Sequence, residues 1–244
     1  MAEIITLHPG IHNQQLAEAS AKLTEGGAWK KQRILYVIPA GEKIRSDVYL
    51  SHRNLVFPPN QPMIPLLVRN AEVGAAFQAS IDVALANPML REFEYLFTIE
   101  HDNVPAQGNE VLKLIAAMEK HPEYSAISGL YWTKGPSGVP QIWGDIKDPV
   151  QNYRPQPPDP SGAVKECWGI GMGFALYRMS MFLELEAKKV ERPWFKTVGT
   201  VPTDQGVGTQ DLYFWGRVAR PNGFRCAVDC STTIGHIDDQ GVIW

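Results

Sequence analysis

Cysteine is scarce in this 244-residue chain: there are three, Cys167, Cys226 and Cys230, and no two of them form a Cys-x-x-Cys pair. An odd number at such spacing gives no disulfide framework, so reduced thiols are expected. Long apolar runs are missing as well. The longest stretch free of Asp, Glu, Lys and Arg, 54–68, carries four prolines, whereas a spanning helix needs about 18 or more mostly apolar residues without such breaks. Near the N-terminus stand Glu3, His8, Gln14, Gln15 and Glu18, where a secretory signal has an apolar core. No membrane span and a cytoplasmic location are therefore expected. Neither sign of charge dominates: 23 basic against 26 acidic residues leave −3. That excludes a general polyanion binder while permitting a local basic patch. No internal repeat is visible.

What is present is an alternation of apolar strands and amphipathic helices. The length suits one large domain or two small ones. Asn13 to Thr24 places Leu16, Ala17, Ala19 and Leu23 among polar residues, and Gly26-Gly27 stops it; this predicts a short leading helix. Ile34 to Ile38 is a continuous apolar run closed by Pro39-Ala40-Gly41, as in a strand buried on both faces. After an irregular proline-rich passage, Asn70 can cap a helix with the stripe Val73, Phe77, Ile81, Ala84 and Leu85, ended by Asn87-Pro88. Tyr95 to Ile99 reads as a second buried strand, Gly108 to Lys120 as a helix, and Ala126 to Tyr131 as a third strand. Such an order implies a wound α/β sheet.

Periodicity then vanishes from Gly135 to Pro160, where seven prolines stand. A segment of this kind inside a compact domain is a functional lid or a disordered stretch, and Trp143 and Tyr153 speak against a pure linker. Trp168 to Gly173 is glycine-rich and leads into a strand from Phe174 to Tyr177 and a helix from about Ser180. A polar, glycine-bearing loop spans Val198 to Gln210, followed by a helix from Asp211 to Arg220 and a short strand from Arg225 to Asp229.

Chemistry concentrates at a few places. Glu100-His101-Asp102 follows a buried strand at its carboxyl end, where open α/β sheets hold ligands. Two carboxylates two residues apart can converge on one Mg²⁺ or Mn²⁺ ion, or close a turn with Asp102 capping a helix. Gln210-Asp211 puts a carboxylate at a helix start, either as a base toward a substrate hydroxyl or as a favourable dipole partner. His236 is a reasonable imidazole ligand for Mn²⁺ or a hydrogen-bonded structural residue, and Asp238 and Asp239 are spare ligands or a solvated tail. Gly169, Gly171 and Gly173 precede a strand, so the dinucleotide-binding context is missing. They would let backbone approach a ligand beside the flat wall of Trp168, or simply admit a packing tryptophan.

The order of these signals resembles the family 2 type nucleotide-diphosphosugar glycosyltransferases. It runs from the strand ending in Pro39-Ala40 through Arg69-Asn70, Glu100-x-Asp102 and Gly171-x-Gly173-Phe174 to Gln210-Asp211 with Tyr213-Phe214, and ends at Gly235-His236. The resemblance covers about residues 33 to 238. It implies an α/β, single-domain A-type glycosyltransferase fold, with a Rossmann-like mixed, mostly parallel sheet flanked by helices. Residues 1–32 would be a helical extension, 33–134 the donor half, and 135–244 the acceptor half with the lid 135–160.

Pro39 and Ala40 would then lie beside the donor nucleotide, with Arg69 and Asn70 near its base or ribose. Asp102 would bind a Mn²⁺ or Mg²⁺ ion bridging the donor diphosphate, Glu100 would contact ribose or a metal-bound water, and His236 would be a further ligand. Asp211 would be the base toward the acceptor, and Trp168, Gly171 and Gly173 the acceptor side. Glu100 departs from the usual Asp of the metal motif, and Gln210 from the usual Glu before the base.

The implied activity is transfer of a sugar from a nucleotide-diphosphate sugar to an acceptor hydroxyl, inverting or retaining. The acceptor could be a glycan, small molecule, protein or modified nucleic-acid base. A nucleotidyltransferase and a silent nucleotide- or glycan-binding protein of the same fold are the competing expectations.

Overall fold

The computed structural model describes residues 3–6, 31–148, 154–198 and 209–244. Its centre is one mixed sheet. In chain order the strands are β1 (Glu3–Thr6), β2 (Ile34–Ala40), β3 (Met63–Arg69), β4 (Tyr95–Ile99), β5 (Asn103–Pro105) and β6 (Ala126–Leu130). The short β7 (Ile142–Trp143) is followed by β8 (Val164–Cys167), β9 (Gly169–Ile170), β10 (Phe174–Arg178) and the long β11 (Cys226–His236). The sheet order is β1-β3-β2-β4-β10-β6-β11-β5, with β8 also on β11 and β7-β9 as a separate ribbon. β3, β2 and β4 are mutually parallel, and so are β6 and β11. β10 runs against both of its neighbours, β4 and β6, so the five long forward strands share one direction. The result is a Rossmann-like α/β arrangement.

Helices α1 (Ser46–Arg53), α2 (Val73–Ala86), α3 (Glu110–Lys120) and α4 (Met179–Ala187) flank the sheet, and a short α5 (Gln210–Tyr213) widens into π-type bonding over Phe214–Ala219. Successive strand residues face opposite sides. Leu35 and Val37 of β2, Leu96 of β4 and Tyr177 of β10 join a core with α2, α4 and α5. Ile34 and Tyr36, Phe97 and Ile99, and Phe174 and Leu176 join a second core with α3. Phe182, Phe195 and Phe214 are at most 2% exposed, each contributing about 1.5–3 kcal/mol by burial. Phe195 and Phe214 stack at 4.4 Å between centroids. Arg33 pins the entry of β2 to that of β4, with its Nη2 2.7 Å from Glu94 Oε1 and its backbone N–H donating to Glu94 Oε2.

Several expectations change. β3 occupies the passage that reads as irregular, and Pro65 sits within it opposite Tyr36. Among the described residues β1 pairs with Leu66 to Arg69, one residue past Pro65. Asn70 is no helix cap: it has φ 57°, and Glu72 caps α2 by accepting from the Ala75 N–H at 3.0 Å. The last strand is eleven residues long rather than five, because its second part turns past Asp229 to pair with β5.

The leading segment contributes the edge strand β1, while the helix expected over Asn13–Thr24, Tyr153 and most of the loop 198–210 lie outside the described residues. The described parts of the proline-rich segment are anchored: Trp132 bridges Pro140, Ile142 is fully buried, and Trp143 bridges Pro155 and pairs with Gly169. Among the described residues no helix is long and apolar enough to cross a membrane.

Candidate functional site

The carboxyl ends of β2, β3 and β4 open into a cavity of about 430 Å³ lined by Pro39, Ala40, Gly41, Asn70, Ala71, Val73, Glu100, His101 and Gln210. This is the ligand-holding end of a parallel sheet. The left-handed turn at Asn70, one of the side chains that tolerate it, carries the chain from β3 into α2 at the cavity wall. Arg69 sits opposite Ala40 in the strand register. Beside it lies a second cavity of about 510 Å³, lined by Glu100, Tyr131, Thr133, Gln141, Trp143, Thr209, Gln210, Asp211, Leu212 and His236. Glu100 and Gln210 belong to both, so the two form one cleft with that pair between its halves.

Glu100 is half-buried, and its N–H is fixed by the Gly173 carbonyl at 3.0 Å. Its carboxyl has no hydrogen-bond partner among the described residues. Burial first, then the negative charges of Asp102 and Asp211, push it up to about 8 against the opposing pull of Lys134. At neutral pH it is therefore a protonated acid able to donate to a ligand oxygen. Asp211 opens α5 and is 7% exposed. Its Oδ1 accepts from Leu212 N–H at 2.8 Å and from the Thr209 hydroxyl. Burial raises its carboxyl above the ordinary range in spite of these bonds, which makes it a stronger base once ionised. The π-type turn after α5 is the kind of local widening that recurs at functional sites.

Asp102 behaves differently. Burial opposes its charge, but His236 and Lys134 hold it well below the usual carboxylate range. Lys134 Nζ is 2.5 Å from Asp102 Oδ2, and His236 Nε2 is 3.4 Å from the same oxygen. Asp102 Oδ1 is buried without a partner among the described residues. His236 Nδ1 donates to the Trp132 carbonyl at 2.7 Å, which leaves Nε2 facing Asp102. Among the described residues, no three His, Cys, Asp or Glu side chains converge so as to hold a metal ion. Lys134 and His236 both approach Oδ2 of Asp102, whereas the partnerless Oδ1 and the His236 Nε2, on a ring held by its Nδ1–H, are groups a Mn²⁺ or Mg²⁺ ion could take, so Asp102 and His236 would be the residues to hold one together with the oxygens of a bound phosphate.

Pro39, Ala40, Asn70, Glu100, Asp211 and His236 are thus gathered around one cleft. Trp168, Gly171 and Gly173 do not line it. Trp168 packs against the core and its carbonyl accepts from Arg220 Nε at 2.8 Å. Gly171 and Gly173 are glycines because of Tyr131: a Cβ on Gly171 would collide with the Tyr131 hydroxyl, and one on Gly173 would stand 2.5 Å from Asn103 Oδ1. The Tyr131 hydroxyl accepts from Gly173 N–H at 2.8 Å. The aromatic wall is instead Trp143, whose Nε1 donates to Gln141 Oε1 at 3.0 Å. Tyr131, Thr133, Lys134, Gln141 and Trp143 escape a reading of the sequence. Their one signal was a lysine just beyond a strand end and a tryptophan in a proline-rich stretch.

Fold and site together define a Rossmann-like α/β protein with a two-chambered ligand cleft at the carboxyl ends of its strands. No family model matches the chain, and no curated protein matches it in sequence. Among solved structures it is similar to A197 from STIV, 18% identical with a TM-score of 0.57, covering 87% of this chain and 89% of that one. A protein from Bacillus anthracis described as a glucose-1-phosphate thymidylyltransferase, in complex with a sucrose, is 13% identical with a TM-score of 0.36, over 87% of this chain and 72% of that one. The first is a likeness of fold. The second is too slight to bear on function.

Proposed function

We propose that the protein is a glycosyltransferase of the A-type fold that moves a sugar from a nucleotide-diphosphate sugar to an acceptor hydroxyl. What supports this most is the two-chambered cleft, with a buried carboxylate, Asp211, and an aromatic wall, Trp143, in the chamber next to the strand ends. The nucleotide would lie in the chamber of Pro39, Ala40 and Asn70. The sugar would cross the Glu100 and Gln210 boundary toward Trp143, where a ring can lie against a flat apolar face. The acceptor oxygen would attack the anomeric carbon as the bond from that carbon to the diphosphate oxygen breaks. In an inverting displacement its proton passes to Asp211. Protonated Glu100 would donate to a donor oxygen rather than repel it.

Incubation with a panel of nucleotide sugars, with release of nucleoside diphosphate as the readout, tests this. Release is expected for at least one donor. Asp211→Asn should keep donor affinity and lower turnover by about 10²–10⁴-fold, the range for losing a positioned base. Unchanged turnover in that variant refutes the assignment of Asp211. Pyrophosphate formed from a nucleoside triphosphate and a sugar phosphate would instead make the protein a nucleotidyltransferase. Binding without any turnover would make it a silent relative.

A further inference from the structure

We infer that Cys167 and Cys226 are a latent cross-strand pair, a site where a small disulfide oxidant of the glutathione type joins the two thiols and fastens β8 to β11. The two residues stand directly opposite each other in the antiparallel register of these strands. Such a pair puts both side chains on one face, with Cα atoms about 4.5 or 5.5 Å apart, and a disulfide needs about 4.4–6.8 Å. No backbone movement is required to make the bond. The side chains also meet: Cys226 Sγ lies 3.4 Å from the Cys167 carbonyl, and its thiol interacts with the Cys167 thiol.

Cys230 is no competing partner. It lies four residues beyond Cys226 on β11, about 13 Å along an extended strand, and its sulfur accepts from the Asp159 N–H at 3.3 Å. The bond would join two parts of the frame around the cleft. Cys167 leads to Gly169, which pairs with Trp143 of the chamber wall, and its thiol donates to the Gly169 carbonyl at 3.2 Å. Cys226 begins the strand that ends in His236. Arg220 braces the same place: its guanidinium donates to the carbonyls of Cys167 and Trp168 and lies 3.7 Å from Cys226 Sγ.

Both cysteines are fully buried. Burial first, then the neighbouring thiol, raises Cys226 well above the ordinary thiol value in spite of Arg220, so in the closed protein the pair stays protonated and slow to react. Oxidation proceeds when the ladder between β8 and β11 opens locally. Cys226 then loses its proton to solvent, its thiolate attacks one sulfur of the oxidant, and the other sulfur departs as a thiolate. The Cys167 thiolate next attacks Cys226 Sγ and expels the second oxidant thiolate. Two protein thiols and one oxidant disulfide thus become one protein disulfide and two small thiols. Closure of the ladder shields the new bond from reductants.

Full-length wild type held in excess glutathione disulfide, with and without urea below its unfolding midpoint, then denatured, alkylated and weighed by mass spectrometry, tests the assignment. It should lose about two mass units, show one alkylated cysteine in place of three, and reach this state faster in urea. Trypsin should release the segment from Glu166 to Arg178 joined to the one that begins at Cys226. Cys230→Ser should keep the link, and Cys226→Ser should abolish it. The oxidised protein should melt about 5–15 °C above the reduced one, because the bond closes a loop between residues 59 apart. Three alkylated cysteines after prolonged exposure, stable glutathione adducts in place of the link, a link that survives in Cys226→Ser, or an unchanged melting temperature overturns the inference. Each of these results leaves the glycosyltransferase reading standing, because no side chain that lines the cleft takes part in the bond.

Discussion

Replacing Glu100 with glutamine should make stability less sensitive to alkali, and the size of the effect follows from the environment of that one carboxyl. In the folded protein it sits near 8 against an ordinary value of 4.5. The group is raised, so the folded state holds a proton that the unfolded chain has lost, and stability falls as pH rises from about 4.5 to 8. At about 1.36 kcal/mol per pH unit, the accumulated loss is about 2 kcal/mol at pH 6 and about 4 kcal/mol at pH 8. Solvent reaching the half-buried side chain lowers both figures, so about 2 kcal/mol is an upper bound for the change between them. Glutamine keeps the shape and cannot ionise. Urea unfolding of wild type and Glu100→Gln at both pH values isolates the term, because other titrating groups are common to the two proteins. The variant should gain on wild type by up to about 2 kcal/mol from pH 6 to pH 8, or about 4–8 °C in melting temperature for a chain of this size. A gap that is the same at both pH values refutes the account of Glu100 as a buried, proton-holding acid.

Two further outcomes follow from the same region. Asp102 is held below the ordinary carboxylate range, so its contribution is present above about pH 4 and fades as pH falls toward its folded value; Asp102→Asn should be destabilised at pH 7, with the gap narrowing steadily in acid unfolding below pH 4. Gly171→Ala should cost about 1–3 kcal/mol by overpacking against Tyr131. Most of that cost should disappear in a Tyr131→Phe background, which removes the oxygen the new methyl meets; a double-mutant cycle showing no coupling between the two positions would rule out this reason for the glycine.

How much of this was legible along the chain depended on whether the causes were local. β2 and β4 show themselves as unbroken apolar runs because helices cover both faces of the sheet. Their carboxyl ends pointed directly to Pro39, Ala40, Glu100 and Asp102. β3 was hidden by Pro62 and Pro65, which read as loop until the parallel pairing of Pro65 opposite Tyr36 of β2 places it inside the strand. The extension of β11 was hidden because its second half pairs with β5, a partner more than a hundred residues earlier. Gly171 and Gly173 looked like a place for a ligand to approach the backbone, yet what approaches is a tyrosine from β6's end.

The sequence by itself determined the strand and helix alternation and the core-facing pattern, which depend on short-range periodicity, while the grouping of Pro39, Ala40, Asn70, Glu100, Asp211 and His236 as candidates for one site came from the resemblance of their order to a known family. Only the tertiary structure decided that Trp143 rather than Trp168 walls the cleft, that Glu100 holds a proton, and that Lys134 pairs with Asp102. Charge and hydrogen-bond balance at a site are sums over groups distant in the chain, and a spacing of residues carries no record of them until folding brings those groups within a few ångströms.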